Sequence, residues 1–134
     1  MTYQAATGKC DTQATIDRFD EFSTQAFSRA VAHLAVETQD KWDEPHAKKL
    51  KGKAKLHEIR FKANRCQTRA IGFFGPRPGL FTITLICTHK QNVYQPVEAI
   101  ETAGRRLDAI VKGQAQAVAL QIHGEDFPAH DDPP

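Results

Sequence analysis

A chain of 134 residues with 40% hydrophobic and 25% charged side chains has the make-up of one globular domain with a single core. No apolar run approaches the roughly 20 residues that cross a bilayer, and Met1 to Asp11 lacks the apolar stretch of a secretion signal. A cytoplasmic location without membrane contact is therefore expected. The net charge of +2 hides an asymmetry: nine of the 18 Lys and Arg lie between His46 and Arg69, against the single acid Glu58. Such a block is the electrostatic footprint of a phosphate-rich partner, although a lysine run is also common on an ordinary solvated surface.

In chain order, residues 1–16 show no clear period and read as an N-terminal arm, extended or holding a short strand. From Asp17 the pattern turns helical. Phe19, Phe22, Ala26, Ala30 and Leu34 recur at three- and four-residue steps, with Phe27 and Val31 beside them. The stripe fades near Thr38, and Trp42-Asp43-Glu44-Pro45 reads as a loop, since a proline disfavours helix in the residue before it.

After the basic stretch come three expected strands: Leu56 to Lys62, about Gln67 to Phe74, and Leu80 to Thr88. In the first, His57, Ile59 and Phe61 alternate with Glu58, Arg60 and Lys62. The third is nearly continuous in β-branched and apolar residues, as a central strand should be. Ala63-Asn64-Arg65-Cys66 and Gly75-Pro76-Arg77-Pro78-Gly79 have hairpin lengths, so an antiparallel meander is expected. A helix opened by Pro96 follows, with Ile100, Ala103, Leu107, Ile110 and Val111 as its stripe and Lys112-Gly113 as its end. Residues 114–122 fit a helical turn or a strand equally well. Gly124 to Pro134 is polar, acidic and proline-containing, the composition of a disordered tail. The expected division is thus an arm (1–16), a domain (17–113) and a partly disordered C-terminal extension (114–134).

The order helix, basic loop, three-stranded meander, helix carries a resemblance. Pro45-His46-Ala47-Lys48-Lys49-Leu50-Lys51-Gly52 followed by Leu56-His57-Glu58-Ile59-Arg60-Phe61 is similar to the signature of phage-derived HigB-like toxins, a branch of the RelE/ParE superfamily. Thr68-Arg69-Ala70-Ile71-Gly72-Phe73-Phe74, Thr88-His89-Lys90 and the proline-opened segment Pro96 to Ala103 resemble later family elements, in the family's order. The match spans roughly residues 18–111. It implies an α+β, RelE-like fold, in which an N-terminal helix or helices pack on a small antiparallel sheet with a C-terminal helix. It further implies the toxin of a type II toxin–antitoxin system, which cuts mRNA on the ribosome without a metal or other cofactor. The implied partners are the ribosome, mRNA and a cognate antitoxin with a helix-turn-helix, with a heterotetramer as one form of the complex.

In that reaction the ribose 2′-OH attacks the adjacent phosphate, which requires positive charge on the transition state, a proton acceptor and a proton donor. A segment rich in Lys and Arg with one acid suits it, whereas a two-metal nuclease needs clustered carboxylates. The three cysteines, Cys10, Cys66 and Cys87, form no Cys-x-x-Cys pair, and no metal site is expected.

Arg60 holds the arginine position of the family's first meander strand and is the first candidate for the scissile phosphate. The competing role for it is a surface ion pair with Glu58, two residues away on the same face. Arg69 matches the arginine of the next strand, which contacts phosphate in RelE-like members, but shares parity with Ile71 and Phe73 and so suits burial equally. Lys90 is a candidate for charge stabilisation or proton donation. His57 and Tyr94 are the proton-transfer candidates, with His89 as an alternative, although His57 alternates with core positions. Lys48, Lys49, Lys51, Lys53, Lys55, Lys62 and Arg65 are expected to hold the RNA backbone.

The family's first-strand lysines are replaced here by His57 and Glu58, and the lysine that usually follows Lys90 is Gln91. Two other functions fit the same expectations: a ParE-like toxin that poisons gyrase, and a non-catalytic RNA- or ribosome-binding module.

Overall fold

The computed structural model describes residues 1–37, 41–42, 47–50 and 55–122. The protein is α+β, with three helices and one mixed sheet of seven strands among the described residues. In chain order these are β1 (Thr2–Gln4), α1 (Asp11–Asp17), α2 (Glu21–Ala35), β2 (Ala47–Lys49), β3 (His57–Ala63), β4 (Cys66–Phe74), β5 (Phe81–Lys90), β6 (Val93–Gln95), α3 (Ala99–Val111) and β7 (Gln116–Val118). The sheet order is β2-β3-β4-β5-β1-β7, with β6 also paired to β5. None of the described helices is long and apolar enough to cross a membrane.

The three expected strands are β3, β4 and β5, joined as an antiparallel meander. The β3–β4 hairpin turns at Asn64 and Arg65, both at positive φ, as a two-residue turn requires to match the strand twist. Gln91 and Asn92 turn β5 into β6 in the same way. Between Ile71 and Gly72 the β4–β5 register shifts by a bulge. Gly72 is required there, because a Cβ would lie 2.1 Å from the Thr82 carbonyl oxygen.

The sheet is larger than the expected three-stranded meander. Thr2–Gln4 is no outlying arm: β1 runs parallel to β5 at Ile83 and antiparallel to β7 at Ala117, which gives residues 114–122 a strand as well. Arg106 clasps this junction, pairing with Asp11 through two hydrogen bonds of 2.9 and 2.7 Å while its guanidinium lies over the Tyr3 ring. The expected extension beyond Ile122 lies outside the described residues.

α1 falls within the expected arm, while α2 and α3 start later than their stripes suggest, so that only part of each stripe is buried. Asp20 accepts a hydrogen bond from the Ser23 amide at 2.7 Å and caps α2, separating it from α1. The face that meets the sheet is therefore Ser23, Phe27, Ala30 and Leu34, and Phe22, expected in the core, is 82% exposed. Likewise α3 begins after Glu98 rather than at Pro96. Ala99, Ala103, Leu107 and Ile110 are buried, and Val111 is turned outward.

Two apolar layers result. One face of the sheet presents Ile59, Phe61, Ala63, Ala70 and Ile83 to Ile16, Phe27, Ala30 and Leu34 of the first two helices. Phe27 closes on Phe61 with ring centroids 5.0 Å apart. The other face presents Ile71, Phe73 and Cys87 to Ala99, Ala103, Leu107 and Ile110 of α3. Each fully buried Phe or Ile contributes about 1.5–3 kcal/mol. Because α3 packs over β4 and β5, the polar side chains of β2 and β3 on that second face lie beside it.

Candidate active site

Strand alternation and register decide which candidates meet. On β3, Glu58, Arg60 and Lys62 point to the α3 face, and the register places Lys48 of β2 beside Glu58 and Arg69 of β4 beside Arg60. Cys87 of β5 is paired with Arg69, and His89 of β5 with Tyr94 of β6. One face of the sheet thus carries Lys48, Glu58, Arg60, Arg69, His89 and Tyr94 in adjacent cross-strand rows.

At its centre Glu58, only 2% exposed, meets three side chains. Its Oε2 accepts from Arg60 Nε at 2.7 Å and faces Arg69 Nε at 3.4 Å, an ion-pair distance rather than an aligned hydrogen bond. Its Oε1 accepts from the Tyr94 hydroxyl. The ion pair weighed against function for Arg60 is therefore present, but it belongs to a buried network rather than to the surface.

The electrostatics follow from this packing. Burial, then the hydrogen bond and negative charge of Glu58, push the Tyr94 phenol above its ordinary range, so phenolate is disfavoured. Burial lowers the Arg69 pKa and Glu58 opposes that effect; as an arginine it stays charged. Burial, reinforced mainly by the positive charge of Arg69, lowers the His89 pKa below 6.5. The Cys87 thiol, pushed up to about 12 by burial, is a core group without thiolate character.

Two candidate residues stand elsewhere. His57 is 5% exposed and lies on the opposite face, cross-strand from Lys49, with its ring 5.1 Å from that of Phe74. Burial and Lys49 lower its pKa. Lys90 is exposed and alternates away from His89, onto the face opposite the cluster. Of the RNA-binding candidates, Lys48 and Lys62 share the face of Arg60. Lys49 belongs to the His57 side, Arg65 sits at the β3–β4 turn within electrostatic reach of Asp20, and Lys55 is exposed just before β3. Lys51 and Lys53 lie outside the described residues.

Glu58, the centre of this cluster, is expected from the sequence only as an ion-pair partner for Arg60. Its signal was present, as the one acid among nine cations, on the face of Arg60. What the pattern did not carry was the approach of Tyr94, 36 positions later, through the short strand β6.

No protein-family model, no curated protein and no solved structure matches this chain.

Proposed function

We propose that this protein is a RelE/HigB-like toxin that cleaves mRNA on the translating ribosome and is held silent by an antitoxin. The observation that carries this reading is the convergence, on one face of the sheet, of the two motif arginines with Tyr94 and His89, beside Lys48 and Lys62. Arginine and lysine near a half-open face suit an RNA backbone and the charge that develops as a ribose 2′-oxygen attacks phosphorus.

Arg60, the more exposed of the arginines, is the phosphate-binding group. Arg69 contributes its charge from beneath, and Lys48 and Lys62 hold flanking phosphates. His89 changes charge below pH 6.5 and is a proton-transfer group on the same face as the cations. The basic face also suits an acidic antitoxin segment.

The burial of Arg69 and the outward placement of Lys90 favour one alternative, a non-catalytic RNA- or ribosome-binding module built on the same scaffold. The purified protein, added to cell-free translation of one defined mRNA with new 5′ ends mapped by primer extension, separates the two. Cuts at fixed codon positions that require translating ribosomes support the nuclease. Intact mRNA with ribosome binding retained supports the alternative, and a protein that halts growth with neither property points to gyrase.

A further inference from the structure

Resting on that reading, we propose that Tyr94 takes the ribose 2′ proton and that Glu58 is the positioning residue behind it, which receives Tyr94's own proton. The cluster leaves few other routes. His57 is on the far face of the sheet. Lysines are cationic and have no acceptor. Glu58, 2% exposed and enclosed by its neighbours, is too deep to meet a ribose itself. Tyr94 is partly exposed, and its hydroxyl already donates to Glu58 Oε1, which turns the phenolic lone pairs away from the carboxylate. A phenol that resists ionisation accepts a proton only if it passes one on, and the carboxylate on its far side provides the acceptor.

The step balances without a co-reactant. The 2′-oxygen forms its bond to phosphorus as its proton moves to Tyr94 Oη, and the Tyr94 hydroxyl proton moves to Glu58 Oε1. The P–O5′ bond breaks, and the departing oxygen takes a proton from the His89 imidazolium, whose ring lies 4.9 Å from that of Tyr94. The products are a 2′,3′-cyclic phosphate and a 5′-OH, and exchange with water then returns a proton from Glu58 and restores one to His89. The groups facing Glu58 are Lys48 from β2, Arg60 from β3, Arg69 from β4, Cys87 and His89 from β5, and Tyr94 from β6. Arg60 and Arg69 remain cationic throughout, so the transferred proton neutralises the carboxylate that lies between them.

The test compares the full-length protein with E58Q, Y94F and the double variant, measuring single-turnover mRNA cleavage on programmed ribosomes. Y94F removes one hydroxyl and leaves the Glu58–arginine contacts in place, so its result does not depend on whether E58Q folds. Expected is a loss on the order of 10²–10³-fold in each single variant. The double variant should be no worse than the singles, and ribosome co-sedimentation should be retained. In a Y3F background the Tyr94 phenol should titrate above its ordinary value, and E58Q should bring it down. Cleavage within about threefold of wild type in Y94F, or a Tyr94 phenol whose titration is unchanged in folded E58Q, overturns the relay while leaving the nuclease reading in place. Wild-type protein that never cuts overturns both.

Discussion

Arg60 and Arg69 are directly opposite one another on β3 and β4, a like-charge pairing that normally destabilises a sheet. The carboxylate of Glu58 reconciles them, with one oxygen directed at both guanidinium groups. Removing that anion exposes the repulsion and leaves Arg69 buried without a counter-charge.

Glu58→Ala is therefore expected to destabilise the fold by about 3–5 kcal/mol, the cost of breaking a buried pair from one side. Arg60→Ala, at a partly exposed position, should cost less than half as much. Urea unfolding of the two variants checks both values. Equal, small losses would show that the Glu58 network is not a structural element.

Gly72 sets a different kind of limit. At the β4 bulge a methyl group would lie inside contact distance of the Thr82 backbone, which cannot move without disturbing β5. Gly72→Ala should cost about 3 kcal/mol or more through backbone displacement alone. Thermal unfolding measures it, with Gly104→Ala as the control, where a Cβ meets nothing within 4 Å.

Histidine burial predicts the acid response. His57 has its folded pKa lowered by burial and by Lys49, so the unfolded chain binds a proton before the native one does. Stability is then full above pH 6.5 and falls as pH drops from there toward the folded pKa, below which the slope from this group vanishes. The slope in that window reaches about 1.4 kcal/mol per pH unit for one group. His89 adds in the same direction. Replacing His57 with Phe, which keeps a ring against Phe74, should flatten part of the slope in unfolding curves taken at successive pH values; an unchanged slope would show that His57 is not excluded from protonation.

What the sequence revealed and what it hid divides along physical lines. The meander was legible because β3, β4 and β5 are seven to ten residues long, enough for alternation and β-branching to register. β1, β6 and β7 have three residues each, too few to carry a period, and β1 gains its place by pairing with residues some 80 and 115 positions away. α2 and α3 were legible as helices, with Ala30, Leu34, Ala103, Leu107 and Ile110 of their stripes buried, but their starts at the Asp20 cap and after Glu98 were not, and α1 lay within the stretch read as an arm. At the site, the cations and their face followed from parity on β3. The depth of Glu58 and its meeting with Tyr94 depended on cross-strand register, which no single strand encodes.

That same register yields the most discriminating prediction for the RNA-binding lysines. Lys48 and Lys49 are adjacent in sequence, yet Lys48 stands beside Glu58 and Lys49 beside His57, on opposite faces of β2. If RNA lies across the Arg60 face, Lys48→Ala and Lys62→Ala should each weaken binding and reduce the slope of log affinity against log salt by about 0.7, one single-strand phosphate contact. Lys49→Ala and Arg65→Ala, directed toward His57 and Asp20, should leave that slope within error of wild type. Fluorescence anisotropy with a labelled single-stranded RNA over a salt series gives all four values. Equal losses from all four would mean a diffuse electrostatic surface, and the assignment of the Arg60 face as the RNA interface would be withdrawn.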